Sequence, residues 1–338
     1  MDKQFEERGK YSDQGLITLV CNKLNNRGHY MGRKAFLFPG QGSQAVGMGK
    51  DFFEASATAR EIFHKADMIL GYSISHLCFE GPEEELRLTQ NTQPALLIVS
   101  TIAYSLMGES PFIAAGHSLG EYSALVASGS LSFEDAVLLV HKRGTYMQEA
   151  VPVGVGAMAA VLGSPYEDVK KALSDVEEGT VEIANWNSRE QIVIAGHERA
   201  VKRALSLLKP ARSILLPVSA PFHCKLMRSA EEKLAKDLDA VEFKDLTFPI
   251  ITNVDARIIN KGEEARDALK RQVTSSVLWF ESMKVMEGQG VTCFVELGWG
   301  KVLSGLIKRI GREWSMEPAV MNVQDMESLK NVKKALSD

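Results

Sequence analysis

Short apolar runs alternate along the chain with longer stretches whose apolar residues recur every three or four positions. The first run, Ala35-Phe36-Leu37-Phe38, reads as a buried strand. It ends on Pro39-Gly40-Gln41-Gly42-Ser43-Gln44, a turn too rich in Pro and Gly for regular structure. Helical patterns follow around 51–70 and 83–90. Gln93-Pro94 starts a stronger one that turns Ala95, Leu96, Ile98, Val99, Ile102 and Leu106 inward, with Pro94 in its first turn. The run Pro111-Phe112-Ile113-Ala114-Ala115 reads as the next buried strand, with a helical pattern over 121–127 behind it. Strand, helix, strand in this order predicts a parallel pair with a right-handed crossover. A helix over 133–150 places Ala136, Val140 and Met147 on one face.

From Ala157 the rhythm changes. A strand at 157–162 precedes a helix over 164–176, with Ser164 as its cap and Pro165 at its first position. Strands at 181–186 and 191–195 are joined by the polar Asn187-Ser188-Arg189-Glu190. A helix over 198–208 and a strand at 213–218 close the set. The order β-α-β-β-α-β is that of a ferredoxin-like unit. Residues 155–217 are therefore predicted to be a ferredoxin-like subdomain inserted into a larger α/β body made of 34–154 and 218–325. That body continues with a helix at 226–238, a strand at 248–254, a helix through 265–273, a strand at 291–297 and a helix carrying Val302, Leu303, Leu306 and Ile307. Residues 326–338 read as a final helix or tail. Residues 1–33 are mostly polar, and their apolar island Leu16–Val20 is too short for a secretory segment with such flanks. They read as a poorly ordered extension, with Met31 resembling a natural start.

Composition narrows this picture without changing it. The 338 residues are 45% hydrophobic and 24% charged, as in ordinary globular proteins, and carry a formal net charge of -4. That balance argues against a dedicated nucleic-acid binder. No apolar stretch approaches 18 residues, so no transmembrane helix is expected. Cys21, Cys78, Cys224 and Cys293 lie far apart with no C-x-x-C. They form neither a disulfide framework nor a zinc pattern and fit a reducing cytoplasm.

Chemistry enters at Gly116-His117-Ser118-Leu119-Gly120. G-x-S-x-G between a strand and a helix is the context of a nucleophile elbow, in which a tight turn lifts a serine hydroxyl off the strand end. The plain alternative is a glycine-bounded turn with an incidental serine. A serine hydroxyl is a weak nucleophile and needs a base and an oxyanion site. Of seven histidines, His223 is the best placed, after Pro221-Phe222 where a strand becomes a loop; a solvated or structural histidine is the alternative. Arg143 falls on the apolar face between Val140 and Met147. A charge facing a core needs a partner, so Arg143 either meets a protein carboxylate or awaits an anionic ligand. The Gln41 loop either approaches a ligand or is a plain strand-to-helix connection.

Five stretches occur together in a fixed order: Phe38-Pro39-Gly40-Gln41-Gly42-Ser43-Gln44, Gly116 to Glu121, Lys142-Arg143-Gly144, Pro221-Phe222-His223, and Gln272 to Trp279. In this the chain, over about 34–320, resembles the malonyl-CoA:acyl carrier protein transacylases of bacterial type II fatty acid synthesis. The resemblance implies an α/β-hydrolase-like core with a parallel sheet plus the inserted ferredoxin-like α+β subdomain. It implies transfer of a malonyl group from coenzyme A to the phosphopantetheine thiol of acyl carrier protein, by a ping-pong mechanism without cofactor or metal. It assigns Ser118 as nucleophile and His223 as base, oriented by the main-chain carbonyl of Gln272, so no triad carboxylate is needed. The backbone N–H groups of Gln41 and Leu119 correspond to the oxyanion hole, and Arg143 to the partner of the malonyl carboxylate. Met147, Asn185, Asn187 and Phe222 correspond to substrate-binding positions. Ser276 stands where the family often has Pro. Partners implied are acyl carrier protein and a coenzyme A thioester, with no nucleic acid or membrane. A cytoplasmic monomer is the expectation. Acyl carrier proteins are acidic, which makes Lys225, Arg228, Lys301, Lys308 and Arg309 candidates for a docking rim.

The rival reading is a serine esterase or thioesterase of the α/β-hydrolase type, which shares G-x-S-x-G. That fold needs an Asp or Glu between serine and histidine in chain order. The candidates Asp168 and Glu182 lie in the inserted unit, and Arg143 has no obvious use there. A catalytically dead binding module would tolerate loss of serine or base, and both are present.

Overall fold

The computed structural model describes residues 32–337, apart from 153, 210, 211 and 219. The expected extension at 1–33 and Cys21 lie outside the described residues, except that Arg33 already starts the first strand. From Arg33 on, the chain forms one compact unit.

Two sheets organise that unit. The strands are β1 (Arg33–Phe38), β2 (Ile113–Gly116), β3 (Gly156–Leu162), β4 (Val181–Ser188), β5 (Gln191–His197), β6 (Arg212–Leu215), β7 (Ile250–Ile251), β8 (Ile258–Ile259), β9 (Val291–Leu297) and β10 (Ala319–Val323). The large sheet has the order β10-β9-β1-β2-β7-β8. It is parallel except for β8, which runs antiparallel to β7. Its central strands are apolar without alternation because both faces are covered. Phe36, Phe38 and Ala114 enter one buried cluster, and Ala35, Leu37, Ile113 and Ala115 enter the other.

The small sheet, β4-β5-β3-β6, is antiparallel throughout. With its helices Tyr166–Ser174 and Glu198–Leu208 it has the ferredoxin-like order expected for the inserted unit. The period of two along its strands separates two burials. Ala159, Val161, Ile192 and Ile194 pack under the two helices, whereas Met158, Ala160, Val193 and Ala195 join the main core of the body. This sheet is thus a second layer whose inner face lies on the α/β body.

Several element boundaries differ from the sequence expectation, each for a local reason. The helix expected over 51–70 breaks at Ser56, whose backbone is extended and whose hydroxyl accepts from Ala59 N–H and caps the second helix. Pro94 does not start its helix. The helix runs Thr89–Met107 with Pro94 inside it, and the Gln90 carbonyl that a proline leaves without its helical donor is taken by the His141 ring nitrogen at 3.0 Å. Ser164 does not cap; Pro165 precedes the first turn of Tyr166–Ser174. Asn187 and Ser188 belong to β4, so the hairpin turn is only Arg189-Glu190. The strand expected at 248–254 shrinks to Ile250–Ile251, and that at 213–218 ends at Leu215. The last helix, Met326–Ser337, is anchored on the body. It buries Leu329 and Val332, and its Met326 N–H donates to the Asp51 carboxylate at 2.6 Å.

Candidate active site

The glycines of the elbow explain its shape. A Cβ on Gly116 would lie 1.8 Å from the Gly120 carbonyl carbon, so strand end and helix start touch as backbones. Between them Ser118 is forced to φ 51°, a left-handed conformation that costs a non-glycine residue energy. His223 is held at φ 59° after the small sheet hands the chain back to the body. These two strained residues meet: Ser118 Oγ is 2.7 Å from His223 Nε2. His223 Nδ1 lies 3.0 Å from the main-chain oxygen of Gln272. A carbonyl oxygen can only accept, so Nδ1 carries the proton and Nε2 is left to accept from the serine. Burial, then the nearby Arg143 charge, push the imidazole down to about 3. The ring is therefore neutral at neutral pH.

Arg143 comes from the buried face of the helix Phe133–Glu149 and is 1% exposed. No protein carboxylate pairs with it among the described residues. Its Nη1 donates to Gln93 Oε1 at 2.8 Å, and its Nη2 to Gln272 Oε1 at 2.9 Å and Ser118 Oγ at 3.0 Å. Its buried Nε has no hydrogen-bond partner among the described residues. Desolvation pulls the guanidinium pKa down, yet its partners are neutral oxygens. A desolvated cation held by amides and a serine, with a donor left over, is a socket for an anion.

The cleft around these groups has a volume of about 120 Å³ and is bordered by Gln41, Leu119, Met147, Asn185 and Phe222 as well as by Ser118, Arg143 and His223. Leu119 is the residue immediately before the helix Gly120–Ala127, where main-chain N–H groups have no helical acceptor. Gln41 is exposed, and its side chain donates to Thr89 Oγ1. Asn187 borders the elbow indirectly: its Oδ1 is 2.8 Å from His117 Nε2. Neither Asp168 nor Glu182 meets His223; Glu182 accepts from the main-chain N–H of Lys225 and pairs with its Nζ.

Sequence reasoning missed a second tier. Asn253 Oδ1 accepts the Ser118 N–H at 2.6 Å, and Asn253 Nδ2 donates to Gly116 O at 2.7 Å, so one amide braces both sides of the elbow. Glu121, fully buried, accepts from Gln272 Nε2 and from Asn253 N–H. Burial raises its carboxyl to about 7 against those two bonds and the Arg143 charge. Met158, Leu216 and Val218 complete the wall from the small-sheet side. A polar residue inside an apolar helix was the available signal for Glu121 and Gln93. For Asn253, in the turn two residues past the short strand Ile250–Ile251, there was none.

The joint between sheets runs through the loop after Gln272. The Ser276 hydroxyl donates to the Ile183 carbonyl. Val277 N–H donates to Ala184 O at 2.8 Å, and Val277 O accepts from Trp186 N–H at 2.9 Å. Serine in place of proline thus adds a hydrogen bond to β4.

A strained serine, a neutral histidine held by a carbonyl, and a buried cation define a serine-dependent acyl-transfer site. In agreement, the family model of the acyl transferase domain matches residues 35–335, and the chain belongs to that family. Its relatives narrow the assignment. It is 49% identical over 290 residues, 83% of this chain and 92% of the relative, to the malonyl CoA-acyl carrier protein transacylase of Bacillus subtilis (strain 168). An acyl carrier protein S-malonyltransferase from Vibrio cholerae superposes with a TM-score of 0.86 at 44% identity, over 89% of this chain and 99% of that one. A malonyl-transacylase solved in complex with a type II PKS acyl-carrier protein superposes with the same score, 0.86, at 41% identity, over 90% of this chain and 99% of that one.

Proposed function

We propose that the chain transfers a malonyl group from malonyl-CoA to the phosphopantetheine thiol of acyl carrier protein, supplying fatty acid synthesis. The observation that carries this reading is a single hydroxyl, Ser118 Oγ, contacted by both His223 Nε2 at 2.7 Å and Arg143 Nη2 at 3.0 Å. An esterase needs the first contact. Only an acyl group with its own negative charge has use for the second.

In the first half-reaction His223 Nε2 takes the Ser118 proton while Oγ bonds to the thioester carbonyl carbon. The main-chain N–H groups of Gln41 and Leu119 hold the oxyanion, and loss of one such donor costs about 10²–10³ in rate. The C–S bond breaks, and the sulfur of coenzyme A leaves with the proton from His223. The phosphopantetheine thiol then gives its proton to His223, attacks the malonyl-serine, and restores the Ser118 hydroxyl. All charges and protons are handled by these side chains, so the scheme uses no cofactor or metal. Arg143 receives the malonyl carboxylate beside Met147 and Phe222. Its charge also depresses His223, so a bound carboxylate makes the base stronger when the correct substrate is present. Acetyl lacks that effect and leaves the guanidinium without an anion.

Intact-protein mass after mixing with malonyl-CoA tests the reading. One malonyl group gained, with no comparable gain from acetyl-CoA, is expected; free malonate without an adduct would install the hydrolase instead. We place the reaction in the cytoplasm, on a monomer. None of the described helices is long and apolar enough to cross a membrane. For the carrier protein, Lys225 and Arg228 are engaged by Glu182 and Glu231, whereas Lys301, Lys308 and Arg309 are exposed without an ion pair among the described residues. Reversing Lys301 and Lys308 to Glu is expected to raise KM for carrier protein and leave that for malonyl-CoA unchanged. Equal rises for both substrates would remove these lysines from the docking face.

A further inference from the structure

The nucleophile, the base and the cation are contributed by three separate segments, yet two residues, Gln272 and Asn253, between them bond to all three. Gln272 Oε1 accepts from Arg143, and its main-chain oxygen accepts from His223. Asn253 holds the Ser118 N–H. Both residues converge on one atom: Glu121 Oε2 accepts from the side-chain Nε2 of Gln272 at 2.8 Å and from the main-chain N–H of Asn253 at 3.0 Å. We propose that Glu121 is a positioning residue of the acyl-transfer site, fixing the orientation of the Gln272 amide and thereby the hold on Arg143. The proposal rests on the malonyl-transfer reading above.

The physical reason is the two-ended nature of an amide. Only its oxygen accepts a hydrogen bond, and only its nitrogen donates. Turned over, the Gln272 side chain would present N–H groups to the guanidinium, donor against donor. A strong acceptor on the nitrogen side removes that choice. Ser118 O at 3.1 Å and Asn253 Oδ1 at 3.4 Å also accept from Gln272 Nε2, but at greater distance. Glu121 is well placed for the task. It lies in the first turn of Gly120–Ala127, where the helix dipole favours a carboxylate, and it is fully buried with its orientation set. The charged groups with electrostatic influence on it are Arg143 and Asp255, and neither bonds to it directly. Its second oxygen, Oε1, has no hydrogen-bond partner among the described residues, so the polar engagement seen for this side chain is through Oε2, to the Gln272 side chain and the Asn253 main chain.

The test compares full-length wild type, E121Q and E121M in the rate of acyl-Ser118 formation from malonyl-CoA and from acetyl-CoA, with thermal unfolding of each. E121Q can still offer an amide oxygen; E121M keeps the size and offers no acceptor. Malonyl loading by E121M is expected to slow about tenfold or more, as for loss of a buried hydrogen bond. Its KM for malonyl-CoA should rise and its preference for malonyl over acetyl should fall, while E121Q stays within a few-fold of wild type. Wild-type preference in E121M overturns the proposal. So does an equal slowing of both acyl groups that tracks melting temperature, since that is a purely structural role. If E121M does not fold, Q272M carries the test. It deletes the amide but keeps the carbonyl that holds His223, and an unchanged malonyl preference there overturns the proposal equally. Failure of the wild type to load malonyl would instead bring down the transacylase reading, and this inference with it.

Discussion

The two sheets solve different problems with the same apolar residues. The large sheet is parallel apart from β8, and its central strands β1 and β2 are buried on both faces. Such strands must leave the sheet through loops at their ends, and the elbow is one of those loops. The small sheet is antiparallel, closed by a two-residue hairpin turn between β4 and β5, and its edge strand β6 is exposed throughout. It contributes no group that bonds to Ser118 Oγ. Its share is Met158 and Asn185 in the wall and Asn187 against His117. The large sheet and the helices packed on it therefore fix the reacting atoms, and the small sheet encloses them. Substitutions on the two sides should differ in kind, chemistry on one and closure on the other.

The sharpest way to break this division is at the elbow. S118A should form no malonyl adduct, and H223A should load malonyl more slowly by about 10⁴-fold, as for triad members acting as a unit. Rapid-quench mass spectrometry reads both, and an H223A rate within tenfold of wild type would remove His223 as base. Next in size is R143A. Its preference for malonyl over acetyl should fall by about 10²-fold or more, since a site built for a polar partner discriminates strongly. The sign of its pH dependence is fixed too. Arg143 lowers the His223 pKa, so removing the cation raises it, and the acid limb of the acetyl-loading profile should move to higher pH. A limb that stays or moves down would separate Arg143 from the base.

On the enclosing side the effects should be smaller and fall on stability. N187A leaves His117 Nε2 without its acceptor in a half-buried setting beside the cleft, and should cost about 1 kcal/mol in urea unfolding while adduct formation survives. A loss of loading as large as that of H223A would place the small sheet within the chemistry and erase the distinction. Smallest of all, S276A removes one hydrogen bond between the two sheets and should cost about 1 kcal/mol, with unchanged malonyl preference.

Much of this was legible in the chain. Strands β1, β2, β3, β5 and β9 and the helix Glu198–Leu208 follow from apolar runs and their periods, because those patterns are local. The inserted unit was legible from element order alone. Ser118 was legible because strand, G-x-S-x-G and helix are contiguous. Arg143 stood out as a charge on an apolar face, although the sequence left open whether a carboxylate or a ligand answered it. Its 2.8–3.0 Å bonds go to neutral oxygens of Gln93, Gln272 and Ser118, and no carboxylate among the described residues pairs with it. What failed was the reading of ends: Pro94 as a helix start and the length of the strand at 250 depended on His141 and on the neighbours β2 and β8, which are distant in sequence.

By itself, then, the sequence determined the α/β architecture and the inserted unit and singled out Ser118 as the candidate nucleophile, since each is written in residues adjacent in the chain. The tertiary structure alone brought His223 to that serine and showed which amides and which carboxylate surround the pair. Gln272 lies 154 residues from Ser118 and Asn253 lies 135 away, and a hydrogen bond exists only where folding sets donor and acceptor about 3 Å apart.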